Sequence, residues 1–111
     1  MSLQITVMSL DFESFAGPRT QTFSKPEVSF GRLPSNDVVL ETPEVSQKHA
    51  CLRLKRDHAT GDMKIFVTDL GSTNGTLVEN SPVVSRTDVE VASNVRIRIG
   101  NYLIKPSYVD D

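Results

Sequence analysis

In Val95-Arg96-Ile97-Arg98-Ile99 the three aliphatic side chains fall on one side of an extended chain and both arginines on the other, the mark of a half-buried strand with one solvated face. The same period of two returns along most of the sequence, interrupted by turn-forming residues. It predicts strands at Leu3–Leu10, Arg19–Phe23, Val28–Arg32, Val38–Leu40, His49–Lys55, Lys64–Asp69, Thr76–Glu79, Asp88–Val91, Val95–Ile99 and Tyr102–Lys105. Near Met8 the apolar phase passes from Leu3, Ile5 and Val7 to Met8 and Leu10, which predicts a bulge there. Gly100-Asn101 supplies the positive φ of a tight hairpin and should pair Tyr102–Lys105 antiparallel with the preceding strand. Helical periodicity is scarce, so the pattern points to an all-β sandwich or barrel.

A chain of 111 residues holds one core, and 38% hydrophobic with 23% charged side chains are the proportions of a water-soluble globular domain. Neither an internal repeat nor a linker divides it, so residues 1–111 read as one module, complete or part of a longer protein. No apolar run approaches the ~20 residues that span a bilayer. The Leu3–Leu10 segment alternates with Gln4, Thr6 and Ser9 and has no basic region before it, which makes it a strand and not a signal peptide. A cytoplasmic location without a membrane partner is therefore expected. Cys51 is the single cysteine, which excludes an internal disulfide and suits a reducing compartment. With 12 basic and 14 acidic side chains the net charge is −2, so no long-range field draws nucleic acid and any anion site must be local.

Candidate chemistry gathers in three blocks, each where a strand runs into a loop: Gly31-Arg32, Ser46-Gln47-Lys48-His49, and Asp69-Leu70-Gly71-Ser72-Thr73-Asn74-Gly75-Thr76. They offer a guanidinium, an ammonium, hydroxyls and backbone N–H groups, the donors that a phosphoryl group needs. Gly31, without a Cβ, lets the chain bend where the Arg32 side chain must cross the loops. Ser46 can donate to one phosphate oxygen and Lys48 can neutralise it as a point charge. His49 reads as a buried histidine whose ring nitrogens hold the loop through backbone partners. In the third block Asn74-Gly75 is a strong hairpin signal, and consecutive N–H groups of that turn could form a concavity for an anion, joined by the Thr73 hydroxyl.

None of the blocks is a catalytic set. Ser46 and His49 lie three apart on an extended segment and so point to opposite sides, and no third group completes a triad. His49, His58 and Cys51 lack metal-ligand spacing, and no Gly-Lys-Ser/Thr follows a glycine-rich turn. Catalysis, a metal and a cofactor are therefore not expected.

The order and spacing Gly-Arg, Ser-x-x-His, Asp-Leu-x-Ser-x-Asn-Gly-Thr in a β-rich chain of this length resembles the forkhead-associated (FHA) domain family. The resemblance implies an FHA-like (SMAD/FHA) sandwich of two twisted antiparallel sheets, about eleven strands with little or no helix. It implies a module of Ser/Thr kinase signalling whose loops at one end bind phosphothreonine in an extended partner peptide. It assigns the phosphate to Arg32, Ser46 and Thr73 with Lys48 close by, the peptide backbone to Asn74, and a scaffolding role to Gly31, His49 and Gly75, to which Ser72 is added. Gln47 stands where the family often has Arg or Asn, so its contact with the partner backbone would be altered. The rival expectation is a phosphate-independent interaction or oligomerisation module, working through a sheet face on which Arg96 and Arg98 project. Partner identity and oligomeric state are left open by the sequence.

Overall fold

The computed structural model describes residues 1–11 and 17–110. Among them eleven strands and no helix occur: β1 (Ser2–Ser9), β2 (Arg19–Phe23), β3 (Glu27–Gly31), β4 (Val38–Val39), β5 (Ala50–Arg56), β6 (Met63–Asp69), β7 (Thr76–Val78), β8 (Ser81–Pro82), β9 (Val89–Val91), β10 (Ile97–Ile99) and β11 (Tyr102–Val109). They form a six-stranded sheet ordered β2-β1-β11-β10-β7-β8 and a five-stranded sheet ordered β4-β3-β5-β6-β9. All pairings are antiparallel except β3 with β4. The alternation read from the sequence decides which side chains lie between the sheets: Leu3, Ile5, Val7, Ile97, Ile99 and Ile104 from one, Val28, Phe30, Leu52, Leu54, Ile65 and Val67 from the other, all buried. β-branched residues dominate because they suit a pleated, half-buried surface. On the outer face of the five-stranded sheet Arg53 bonds Glu27 and Asp88, and Lys55 bonds Asp88, an ion-paired solvated surface.

Two local expectations are corrected. The bulge at Met8 does not form, because β1 keeps an unbroken register with β11 from Ser2↔Val109 to Ser9↔Tyr102. Met8 lies on the outer face opposite Leu103, so the second apolar set in β1 is cross-strand pairing and not a phase change. Asn74-Gly75 does not make a hairpin: β6 and β7 belong to different sheets, and the chain between them crosses the sandwich. The hairpin that the sequence left unread joins β7 to β8 through Glu79-Asn80, with φ of 48° and 68°, the two positive values of a type I′ turn. Glu79 tolerates that conformation while its carboxylate accepts from the Arg96 N–H and guanidinium. The hairpin at Gly100-Asn101 forms as expected, Ile99 pairing with Tyr102.

Inward and outward neighbours on β11 test this frame. Ile104→Ala should cost about 2–5 kcal/mol and Lys105→Ala stay within about 0.5 kcal/mol, as read by urea denaturation.

Candidate functional site

Three loops meet at one end of the sandwich: 32–37 after β3, 40–49 before β5, and 70–75 between β6 and β7. The first two are laced by main-chain bonds that prolong the sheet, Arg32 and Leu33 N–H donating to the Ser46 and Gln47 carbonyls at 3.0 and 3.3 Å. Gly31 stands where this lacing is tightest. A Cβ there would lie 2.2 Å from the Gln47 carbonyl oxygen and 2.7 Å from the Asn36 amide nitrogen. Its role is thus close approach, and the bend expected from the sequence is replaced by a strand residue against which the neighbouring loop rests. Asn36 completes the seam, its amide donating to the Leu33 and Gln47 carbonyls at 2.9 and 2.8 Å.

His49 is fully buried, and its ring joins the second loop to the third. Nδ1 accepts from the Ser46 N–H at 3.0 Å, so the ring proton sits on Nε2 and donates to the Gly75 carbonyl at 2.9 Å. The same residue's N–H and C=O bond Phe30 and Leu70. The sequence reading of a buried, loop-holding histidine matches this geometry.

Asp69, at the end of β6, organises the third loop. It is 2% exposed, and its carboxylate accepts from the Gly71 and Ser72 N–H groups at 3.1 Å each, the Ser72 hydroxyl at 2.5 Å and the Thr76 hydroxyl at 2.7 Å. Burial pushes this carboxyl upward, and the hydrogen bonds from Ser72, Thr76 and Gly71 together outweigh it and hold it below the usual carboxylate value. The Ser72 hydroxyl in turn accepts from the Gly75 N–H at 3.0 Å, and Gly75 takes a φ of +83°. Sequence reasoning placed Asp69 in the block without giving it a role. An acidic residue followed by a Gly-Ser turn and a threonine seven residues on was the available signal.

These bonds also correct the expected concavity of free amides. The N–H groups of Gly71 and Ser72 are spent on Asp69, that of Thr73 on the Ser46 hydroxyl at 3.0 Å, and that of Gly75 on Ser72. Those four amides are thus already committed, and the side chains around them supply most of the donors of the site. Arg32, Ser46, Gln47, Lys48, Thr73 and Asn74 line one open cleft of about 410 Å³, with Glu44 on its rim. The Arg32 Nε is fixed on the Val45 carbonyl at 3.1 Å, and the two terminal nitrogens of this cleft-lining guanidinium have no hydrogen-bond partner among the described residues. Ser46 accepts from Thr73, so its own hydroxyl hydrogen is available. Asn74 donates from Nδ2 to the Glu44 carbonyl at 2.9 Å, so one of its two expected directions serves the protein itself and Oδ1 remains as an acceptor. Arg32 and Lys48 have no carboxylate partner among the described residues, whereas Lys25, Arg53, Lys55, Lys64 and Arg96 each have at least one.

Comparison with known proteins bears on this arrangement. The family profile described as the FHA domain matches residues 28–100. The glycogen accumulation regulator GarA of Mycolicibacterium smegmatis is 36% identical over 78 residues, 70% of this chain and 44% of that protein. A structure solved in work on phosphothreonine-dependent FHA domain interactions superposes with a TM-score of 0.74 at 24% identity, covering 99% of both chains. Mycobacterium tuberculosis EmbR, solved in complex with a low-affinity phosphopeptide, superposes with a TM-score of 0.70 at 25% identity over 93% of this chain and 24% of its own. The chain spans less than half the length of the curated relatives it matches.

Replacing Asp69 with Asn puts an amide among four donors and should cost about 2–3 kcal/mol. Because the folded carboxyl titrates below its ordinary 3.8, this stabilisation is complete above that value and is lost as pH falls through the lower folded one. The stability gap between wild type and Asp69→Asn should therefore narrow in denaturant titrations below about pH 4. His49→Ala should lower stability by about 2–4 kcal/mol, and an unaltered melting curve would speak against its scaffolding role.

Proposed function

The chain belongs to the forkhead-associated domain family, and from that premise we propose that it is a phosphothreonine-dependent recognition module of Ser/Thr kinase signalling. The observation that carries the reading is the convergence of Arg32, Ser46, Lys48 and Thr73 on one cleft. A phosphoryl group brings close to two negative charges and three acceptor oxygens. The terminal nitrogens of Arg32 fork onto two of those oxygens, the Ser46 and Thr73 hydroxyls donate to the remainder, and Lys48 balances the charge. Asn74 Oδ1 accepts an N–H of the extended partner chain, and Gln47, exposed on the rim, makes a second main-chain contact.

The donors are held before the ligand arrives, by Val45 on Arg32 and by the Ser46–Thr73 bond, so little ordering is left to the protein. Three or four charge-assisted bonds at ~1.5–3 kcal/mol each, less ~2–5 kcal/mol for ordering the peptide, leave roughly micromolar affinity. Threonine is favoured over serine through burial of one methyl, ~0.8 kcal/mol, and through the stiff χ1 of a β-branched residue. Residues 1–111 act as one binding module without a catalytic step of their own. A cytoplasmic site of action is part of this reading, supported by the free thiol of Cys51; among the described residues no helix is long and apolar enough to cross a membrane.

Titration calorimetry on Arg32→Ala tests the site directly. Phosphothreonine-peptide binding should vanish while stability stays within about 1 kcal/mol of wild type, since only the Val45 bond is lost. The unphosphorylated peptide and a Glu-substituted mimic, which offers one charge and two coplanar oxygens, should bind wild type far more weakly. Equal affinity for phosphorylated and unphosphorylated forms would move the function to a phosphate-independent surface.

A further inference from the structure

Arg86 stands outside the cleft just described, yet it is fixed to the same loop. Its N–H donates to the Asp69 carbonyl at 2.7 Å, and the Val83 N–H donates to the Thr76 carbonyl at 3.0 Å. The segment 83–86 is thereby pinned to both ends of the stretch that carries Ser72, Thr73 and Asn74. Arg86 holds a φ of +61°, a conformation that costs a side-chain-bearing residue roughly 1–2 kcal/mol and that a glycine would take without strain. Its guanidinium packs against Gly71, where an added Cβ would meet a terminal nitrogen at 2.7 Å and the guanidinium carbon at 3.2 Å. Gly71 is itself a wall of the cleft. The Arg86 side chain has no hydrogen-bond or carboxylate partner among the described residues, and Val84 beside it is 72% exposed. An arginine kept in a glycine conformation, packed beside the site and left with its guanidinium donors unspent among the described residues, is a cation presented to something outside the protein.

We propose that Arg86 forms a second anion subsite across the 71–73 turn, so that the chain selects phosphothreonine segments carrying a second anionic side chain, carboxylate or phosphoryl, that passes over Gly71. The proposal rests on the phosphothreonine reading above and names the class of segment the site prefers. A planar guanidinium resting on backbone offers its outer edge to either anion as a fork. Lys48 and Arg32 line the cleft and have no carboxylate partner among the described residues, so a segment with two negative groups meets positive charge in the cleft and again at Arg86 beyond Gly71.

The test is fluorescence anisotropy with a phosphothreonine peptide flanked by alanines and with versions carrying Glu or phosphoserine at successive positions on either side. Wild type should bind the doubly anionic peptides about fivefold more tightly when the second anion lies on one side of the phosphothreonine. Arg86→Gly, which suits the local φ, should lose that gain while its affinity for the alanine-flanked peptide stays within about twofold of wild type, and Arg86→Lys should keep part of it. A gain from phosphoserine alone assigns the subsite to a phosphoryl group, and a gain from both assigns it to either anion. Equal gains in wild type and Arg86→Gly, or no gain at any position in wild type, overturn the proposal. Absence of binding to every peptide overturns the phosphothreonine reading and takes this one with it. Should Arg86→Gly melt early, Arg86→Gln supplies the same comparison with the side chain's length retained.

Discussion

A buried imidazole with one partner on each nitrogen is the constraint from which the binding end of this protein follows. His49 has lost all contact with water, so both of its ring atoms must be satisfied internally. The Ser46 N–H and the Gly75 carbonyl are the groups that satisfy them. Since one belongs to the loop before β5 and the other to the loop before β7, the ring is the buried link between the two segments that carry the polar side chains, and the Ser46–Thr73 and Glu44–Asn74 bonds join them again at the surface. Everything displayed outward, from Arg32 to Asn74, is positioned relative to that ring.

Asp69 does the complementary work within one loop. Its carboxylate absorbs four donors, which a reversing chain would otherwise leave unpaired, and the deep pairing explains why it stays ionised despite burial. A consequence is a division of labour between main chain and side chains. The amides of Gly71, Ser72, Thr73 and Gly75 are bonded within the protein and give rigidity, while hydroxyl, ammonium and guanidinium groups at the cleft give chemistry. Rigid backbone beneath polar side chains is the arrangement that keeps the ordering cost of binding low.

Much of this was legible in the sequence. Period-two alternation located the central strands, because inward-facing Ile97, Ile99 and Ile104 leave no other way to bury themselves. The three motif blocks named every residue that the cleft brings together except Pro43, Glu44 and Val45. What escaped was long-range or conformational. Asn74-Gly75 carries a hairpin signature, yet the sheet to which each flanking strand belongs is decided by distant partners that local spacing does not encode. Glu79-Asn80 lacks the glycine that advertises a type I′ turn, and its backbone is retained by bonds to Arg96, remote in sequence. Gly31 was read from the sequence as a bend, whereas the constraint on it is the carbonyl of Gln47, invisible until the loops are folded together.

The crossing of the 69–76 stretch from one sheet to the other has a mechanical meaning. Its Asp69–Thr76 bond is a rivet between the layers, with one end on β6 and the other on β7. The two layers cannot slide past one another without first tearing that rivet and the imidazole beside it. An occupant spanning Arg32 on one layer's loop and Thr73 on the crossing segment would add a second fastener in parallel, so by mass action occupancy and resistance to shear rise together.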